Sequence, residues 1–233
     1  MHDREQIDEL PTIKSLGLPP EKHADRVVRE MLKVLTAAHQ WCWSAILAVI
    51  EQSNDGNPAA QRKMLERIKE AAQAFYLGAH IKTGKRGRYV LTIATMNAWN
   101  AETKAIVFPD DPMPETPWLA FSTTTITSKG KHRYDDEVCE LYLFVTHHAL
   151  SRLAQRCGAR TIDDVAQAAR RIGVTFLKTG RQTIDKILRD DGRMKVELPR
   201  EMGTAVCPLK KYDDEYDGSL VITTLWKEDE EEA

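Results

Sequence analysis

Thr146-His147-His148-Ala149-Leu150-Ser151-Arg152-Leu153-Ala154-Gln155-Arg156 has the spacing of a helix. His148, Arg152 and Arg156 stand at i, i+4 and i+8 and share one stripe. Leu150, Leu153 and Cys157 share another, which can face a core. Immediately before it, Glu137 to Val145 reads as a strand that becomes apolar towards its end. After it come two more helical patterns, Ile162 to Ile172 and a weaker one near Thr183 to Arg189. Past Gly192 the period changes to two, and Met194 to Leu198, Gly203 to Lys211 and Ser219 to Trp226 read as strands. Strand, helices, then strands is an α+β order. Thr161 with Asp164 three places on is an N-cap signature for the second helix. Tyr212 to Gly218 closes the last hairpin.

Upstream, a lead-in ends at Pro19-Pro20, and a long helical period starts at Glu21. Its apolar stripe runs from Val27 and Val28 through Met31, Leu35 and Trp41 to Ile50, and broadens after Ala37. Asn54-Asp55-Gly56-Asn57-Pro58 turns the chain. A second helix is expected over 59–78, antiparallel to the first, with Trp41, Trp43, Ile46 and Phe75 buried. Tyr89 to Thr95 and Trp118 to Thr127 read as strands, with a turn over 97–102 and a returning strand over 104–108. Four prolines forbid regular structure between Pro109 and Pro117. The expected fold class is α+β: an N-terminal helical hairpin, then a largely antiparallel sheet with helices packed on one side. Four regions follow from the patterning: 1–80, helical hairpin; 81–136, β-rich with basic loops; 137–227, α+β; and 228–233, an acidic tail.

The 233 residues are 42% hydrophobic and 29% charged, enough apolar material for a core. The net charge of −2 argues against a surface coated in nucleic acid, yet it is unevenly placed. The tail from Glu228 holds five carboxylates, and without them −2 becomes +3. Cysteines 42, 139, 157 and 207 form no CxxC pair and suit a reducing compartment as small buried groups. The polar start of the chain lacks a signal core, and the apolar stretch around Trp41 to Ile50 is too short to span a bilayer. A cytoplasmic protein with no membrane partner is expected.

Several chemistries find no residues to carry them. There is no His-Glu-x-x-His, no zinc deaminase pattern and no Gly-x-x-x-x-Gly-Lys-Ser/Thr loop. His147 and His148 point about 100° apart on a helix and converge poorly on one metal. Asp135-Asp136 and Asp213-Asp214 read as loop charges. Ser151 lies four residues from His147, but no third group that would orient a nucleophile can be named. No metal and no cofactor are expected. What remains is a histidine, which titrates near neutrality, in line with two arginines, which fork onto phosphate oxygens. Two glycine-containing basic loops add cations beside aromatics: Lys82, Lys85, Arg86 and Arg88 next to Tyr89, and Lys131, His132 and Arg133 next to Tyr134. That composition suits single-stranded nucleic acid, and it equally suits solvated hairpin turns and a solvated helix face.

Residues 144–226 resemble the small toxin-like nucleases of the barnase–EndoU–colicin–RelE superfamily, the BrnT type in particular. The residues carrying the resemblance are His148-Ala149, Arg152, Arg156, the helix near Asp163-Asp164-Val165 and the strand Leu220 to Trp226. The segment between Gly173 and Met194 departs from the compact pattern. The resemblance implies metal-independent RNA cleavage, with His148 as acid or base and Arg152 and Arg156 as phosphate clamps. Lys131, His132 and Arg133 would add contacts. The leading expectation is a nucleic-acid-interacting protein, in its sharpest form such an endoribonuclease. The alternative is a non-catalytic interaction or regulatory module that self-associates through the N-terminal helices.

Overall fold

In a computed structural model the described residues are 20–52, 62–63, 66–67, 69–70, 78–83, 89–128, 134–156, 161–199, 202–212 and 219–228. Helix α1 (Pro20–Gln52) starts on a proline, which tolerates the first helical position because its missing N–H would have no partner there. Ala24, Val27, Val28, Met31, Leu32 and Leu35 recur at helical spacing and are buried in the main core. The expected burial of Trp41, Trp43, Ile46 and Phe75 lies outside the described side chains. So does the pairing of the two N-terminal helices.

Strands β1 (Gly78–Thr83), β2 (Tyr89–Asn100), β3 (Ala105–Ile106), β4 (Trp118–Ser128) and β5 (Tyr134–Val145) precede the helices α2 (His147–Arg156), α3 (Ile162–Thr179) and α4 (Arg181–Asp190). Strands β6 (Arg193–Glu197), β7 (Thr204–Lys211), β8 (Leu220–Ile222) and β9 (Trp226–Lys227) complete the order. They form one mixed sheet ordered β1-β2-β4-β5-β8-β7-β6, with β3 on β2 and β9 on β7. Every pairing is antiparallel except β5 with β8. That pair is parallel because the three helices and a hairpin intervene between its strands. The fold class is therefore α+β with a mostly antiparallel sheet.

The period of two sorts the sheet into faces. Met96, Ala98, Leu119, Phe121, Leu143, Val145, Leu220 and Ile222 lie in the core shared with α1, α2 and α3. Trp99, Ala120, Phe144 and Val221 form a separate cluster with Trp118 and Tyr212 against it. Pairing Phe121 with Leu143 but Ser122 with Leu141 leaves Tyr142 as an extra residue on β5. Such a bulge re-aims a side chain. Here Tyr142 stacks on Phe176 of α3, with centroids 5.9 Å apart, and meets Phe121 at 6.1 Å.

Several boundaries differ from the expectations: β5 starts at Tyr134, and the strand expected over 219–226 is broken into β8 and β9. β2 continues through Asn97 to Asn100, so the turn falls later than 97–102. Asn97 stays in the strand because the hydroxyls of Thr95 and Ser122 accept from its Nδ2, at 3.0 and 3.1 Å. The turn uses Asn100, whose Oδ1 accepts from the N–H groups of Glu102 and Thr103, and Lys104 at φ 51. The returning strand shrinks to β3 accordingly. α3 runs past Gly173 to Thr179, filling much of the segment that had no counterpart in the resemblance. Finally, β1 occupies residues expected to end a helix and open a basic loop, and it pairs along its length with β2.

Candidate nucleic-acid interface

The start of α2 is locked to the sheet. The Thr146 N–H donates to the Ile222 carbonyl at 3.0 Å, and its hydroxyl donates to the Thr223 carbonyl at 3.0 Å. The same hydroxyl accepts from the Ala149 N–H at 3.2 Å, capping the helix. Ala149, Leu150, Leu153 and Ala154 are buried beneath, so rotation of α2 is fixed. The stripe read from sequence then lies outside: His148 and Arg156 are exposed, and Arg152 is half-buried and donates to the Gln155 amide oxygen at 3.3 Å. Among the described residues none hydrogen-bonds His148.

His147 turns the other way. Its Nε2 lies 3.4 Å from Asp25 Oδ1 of α1, and the Ser151 hydroxyl donates to the same oxygen at 2.6 Å. Burial, together with the positive charge of Arg29, holds the His147 pKa below its ordinary value against the opposing pull of Asp25. The third group that sequence spacing could not supply is thus Asp25, 126 residues from Ser151. The order of contacts does not make a nucleophile. A serine activated for attack donates to the imidazole, whereas Ser151 donates to the carboxylate and is itself buried. The three residues act as a strut holding α1 against α2.

The helix held to α2 by that strut carries a row of cations of its own. Lys22, Arg26, Arg29 and Lys33 stand at i, i+4, i+7 and i+11 of α1, on the side opposite its buried residues. Lys22, Arg26 and Lys33 are exposed, and Arg29 is half-buried and donates to the Glu115 carbonyl. Lys33 also pairs with Glu30 at 2.9 Å. These four were missed from sequence, where α1 was read only for its apolar stripe. Their spacing was the available signal.

The basic-loop residues are not brought to this surface by any described contact. Lys82 lies in β1, in register with Val90, and its side chain is outside the described set. Lys85, Arg86, Arg88, Lys131, His132 and Arg133 lie outside the described residues. Among the described residues no group of three His, Cys, Asp or Glu side chains could hold a metal ion, and no helix is long and apolar enough to cross a membrane. In comparisons with known proteins, no family model, no curated protein and no solved structure matches the chain.

Proposed function

We propose that the protein binds nucleic acid, with phosphates held along the outer faces of α1 and α2. The observation that carries this reading is a basic row on each of two contacting helices: His148, Arg152 and Arg156 on one, Lys22, Arg26, Arg29 and Lys33 on the other. Neighbouring cations held on rigid elements attract a polyanion and release its counterions. Arginine adds forked contacts to individual phosphates. The basic loops at 82–88 and 129–133 belong to the same proposal; its alternative is a non-catalytic interaction or regulatory module that self-associates through the N-terminal helices. The test is fluorescence anisotropy with a labelled single-stranded oligoribonucleotide in EDTA. Arg152→Ala with Arg156→Ala should weaken binding, and unchanged affinity would remove α2 from the interface.

Metal-independent RNA cleavage of the toxin type is the second reading. It is favoured by one feature: the exposed His148 shares the outer face of α2 with Arg152 and Arg156. Cleavage needs both an acid and a base. On this reading His148 acts on the substrate and Arg152 and Arg156 clamp the phosphate. A gel assay on the same RNA in EDTA separates binding from cleavage. His148→Ala should abolish any cleavage while leaving the melting temperature unchanged.

A further inference from the structure

On the opposite side of α3 from the Phe176 stack, a groove of about 500 Å³ opens between that helix and the end of β6. Its size is within the range of small-molecule sites. Arg170, Arg171 and Glu197 line it, and Val174, Leu198 and Pro199 supply an apolar wall. The Arg171 Nε–H donates to the Glu197 backbone carbonyl at 3.1 Å, which pins the guanidinium and leaves its outer nitrogens to face elsewhere. Arg170 is half-buried and has no hydrogen-bond or ion-pair partner among the described residues. A guanidinium partly removed from water beside apolar groups loses hydration that nothing in the described chain replaces.

We propose that this groove binds a monoanionic carboxylate carried on an apolar stem. The Arg170 fork takes the carboxylate, Arg171 flanks it, and the stem lies on Val174, Leu198 and Pro199. The two guanidinium groups make the groove positive, and the apolar wall beside them favours a ligand whose charge sits at one end of a hydrocarbon stem. A planar carboxylate also fits an arginine fork with two parallel hydrogen bonds. Because the groove is lined by α3, the end of β6 and the two residues after it, and by no residue of α1 or α2, this site stands independently of the nucleic-acid reading.

The test uses the full chain and heteronuclear NMR titration. The probes are Nα-acetyl-leucine, its uncharged amide, inorganic phosphate and a short peptide ending in leucine with a free C-terminus. The acetyl-leucine carboxylate should shift amides around Arg170, Val174 and Leu198 saturably, and the amide should bind at least tenfold more weakly. Arg170→Gln should abolish the shifts with the melting temperature unchanged. Arg171→Lys, which keeps the charge but loses the bond to Glu197, should weaken them. A tighter peptide would identify a C-terminal residue as the occupant, and equal affinity would identify a free small acid. Each of those two outcomes supports the carboxylate site. Equal binding of the amide, tighter binding of phosphate, absence of saturable shifts, or indifference to Arg170→Gln would each overturn it.

Discussion

Replacing glycine by alanine inside a helix ordinarily stabilises a protein by about 1 kcal/mol. Gly173→Ala should do the opposite here. A Cβ at this position would sit 2.2 Å from Phe121 Cε1 and 2.3 Å from Cδ1, where ordinary contact begins near 3.4 Å. The ring must therefore retreat by more than 1 Å, yet Phe121 is only 2% exposed. Its retreat is blocked by Tyr142, which is itself stacked on Phe176 of the same helix. Overpacking of this kind costs about 1–3 kcal/mol, which cancels the ordinary gain and leaves an expected net loss of up to about 2 kcal/mol. Urea denaturation followed by circular dichroism measures it. Phe121→Leu in the Gly173→Ala background should recover part of the loss, because the smaller side chain vacates the space the methyl needs. A Gly173→Ala protein more stable than the parent would refute the close approach of α3 to β4 on which this reasoning rests.

Other perturbations have equally definite expectations. Asp25→Ala leaves the buried Ser151 hydroxyl without its acceptor, and should lower stability by about 1–2 kcal/mol in the same assay; no change would mean the α1–α2 strut carries no load. His39 has its pKa lowered to about 4 by burial, so the unfolded chain binds more protons between about pH 6.5 and 4. Stability should therefore fall as pH drops through that window, with His147 adding in the same direction. His39→Gln should show a shallower fall, measured by denaturation at stepped pH. Glu228 pairs with Lys195 at 2.7 Å, and the acids after it lie close by in sequence. Removing residues 228–233 should strengthen oligoribonucleotide binding at low salt, and an unchanged affinity would show that the tail shields nothing.

Local signals were legible in the sequence where a local interaction decides the structure. Thr161 and Asp164 form the capping box that their spacing announced, each side chain accepting from the other's backbone N–H at 3.1 Å. The helical period of Leu150 and Leu153 placed α2 correctly, and with it the outward His148, Arg152 and Arg156. The errors fell where a distant residue overrides a local preference. Asn97 reads as a turn former until the hydroxyls of Thr95 and Ser122 accept from it across two strands. Gly173 reads as a helix end until Phe121 is seen to need the space. Asp25 could not be joined to His147 and Ser151 by any pattern, because only the docking of α1 on α2 brings them together. Nothing in the spacing of Arg170 and Arg171 points to a groove, which depends on where β6 ends.

The central claim, that the outer faces of α1 and α2 hold phosphates, is tested most directly by the salt dependence of binding. The affinity for a single-stranded oligoribonucleotide, measured in EDTA across a potassium chloride series, should fall linearly on logarithmic axes. Each phosphate contact on a single strand contributes a slope of about −0.7. Replacing Arg26, Arg152 and Arg156 by glutamine should make the slope shallower by about 2, with the melting temperature unchanged. A parent protein that fails to bind, or a triple variant with the same affinity and the same slope, would contradict the account.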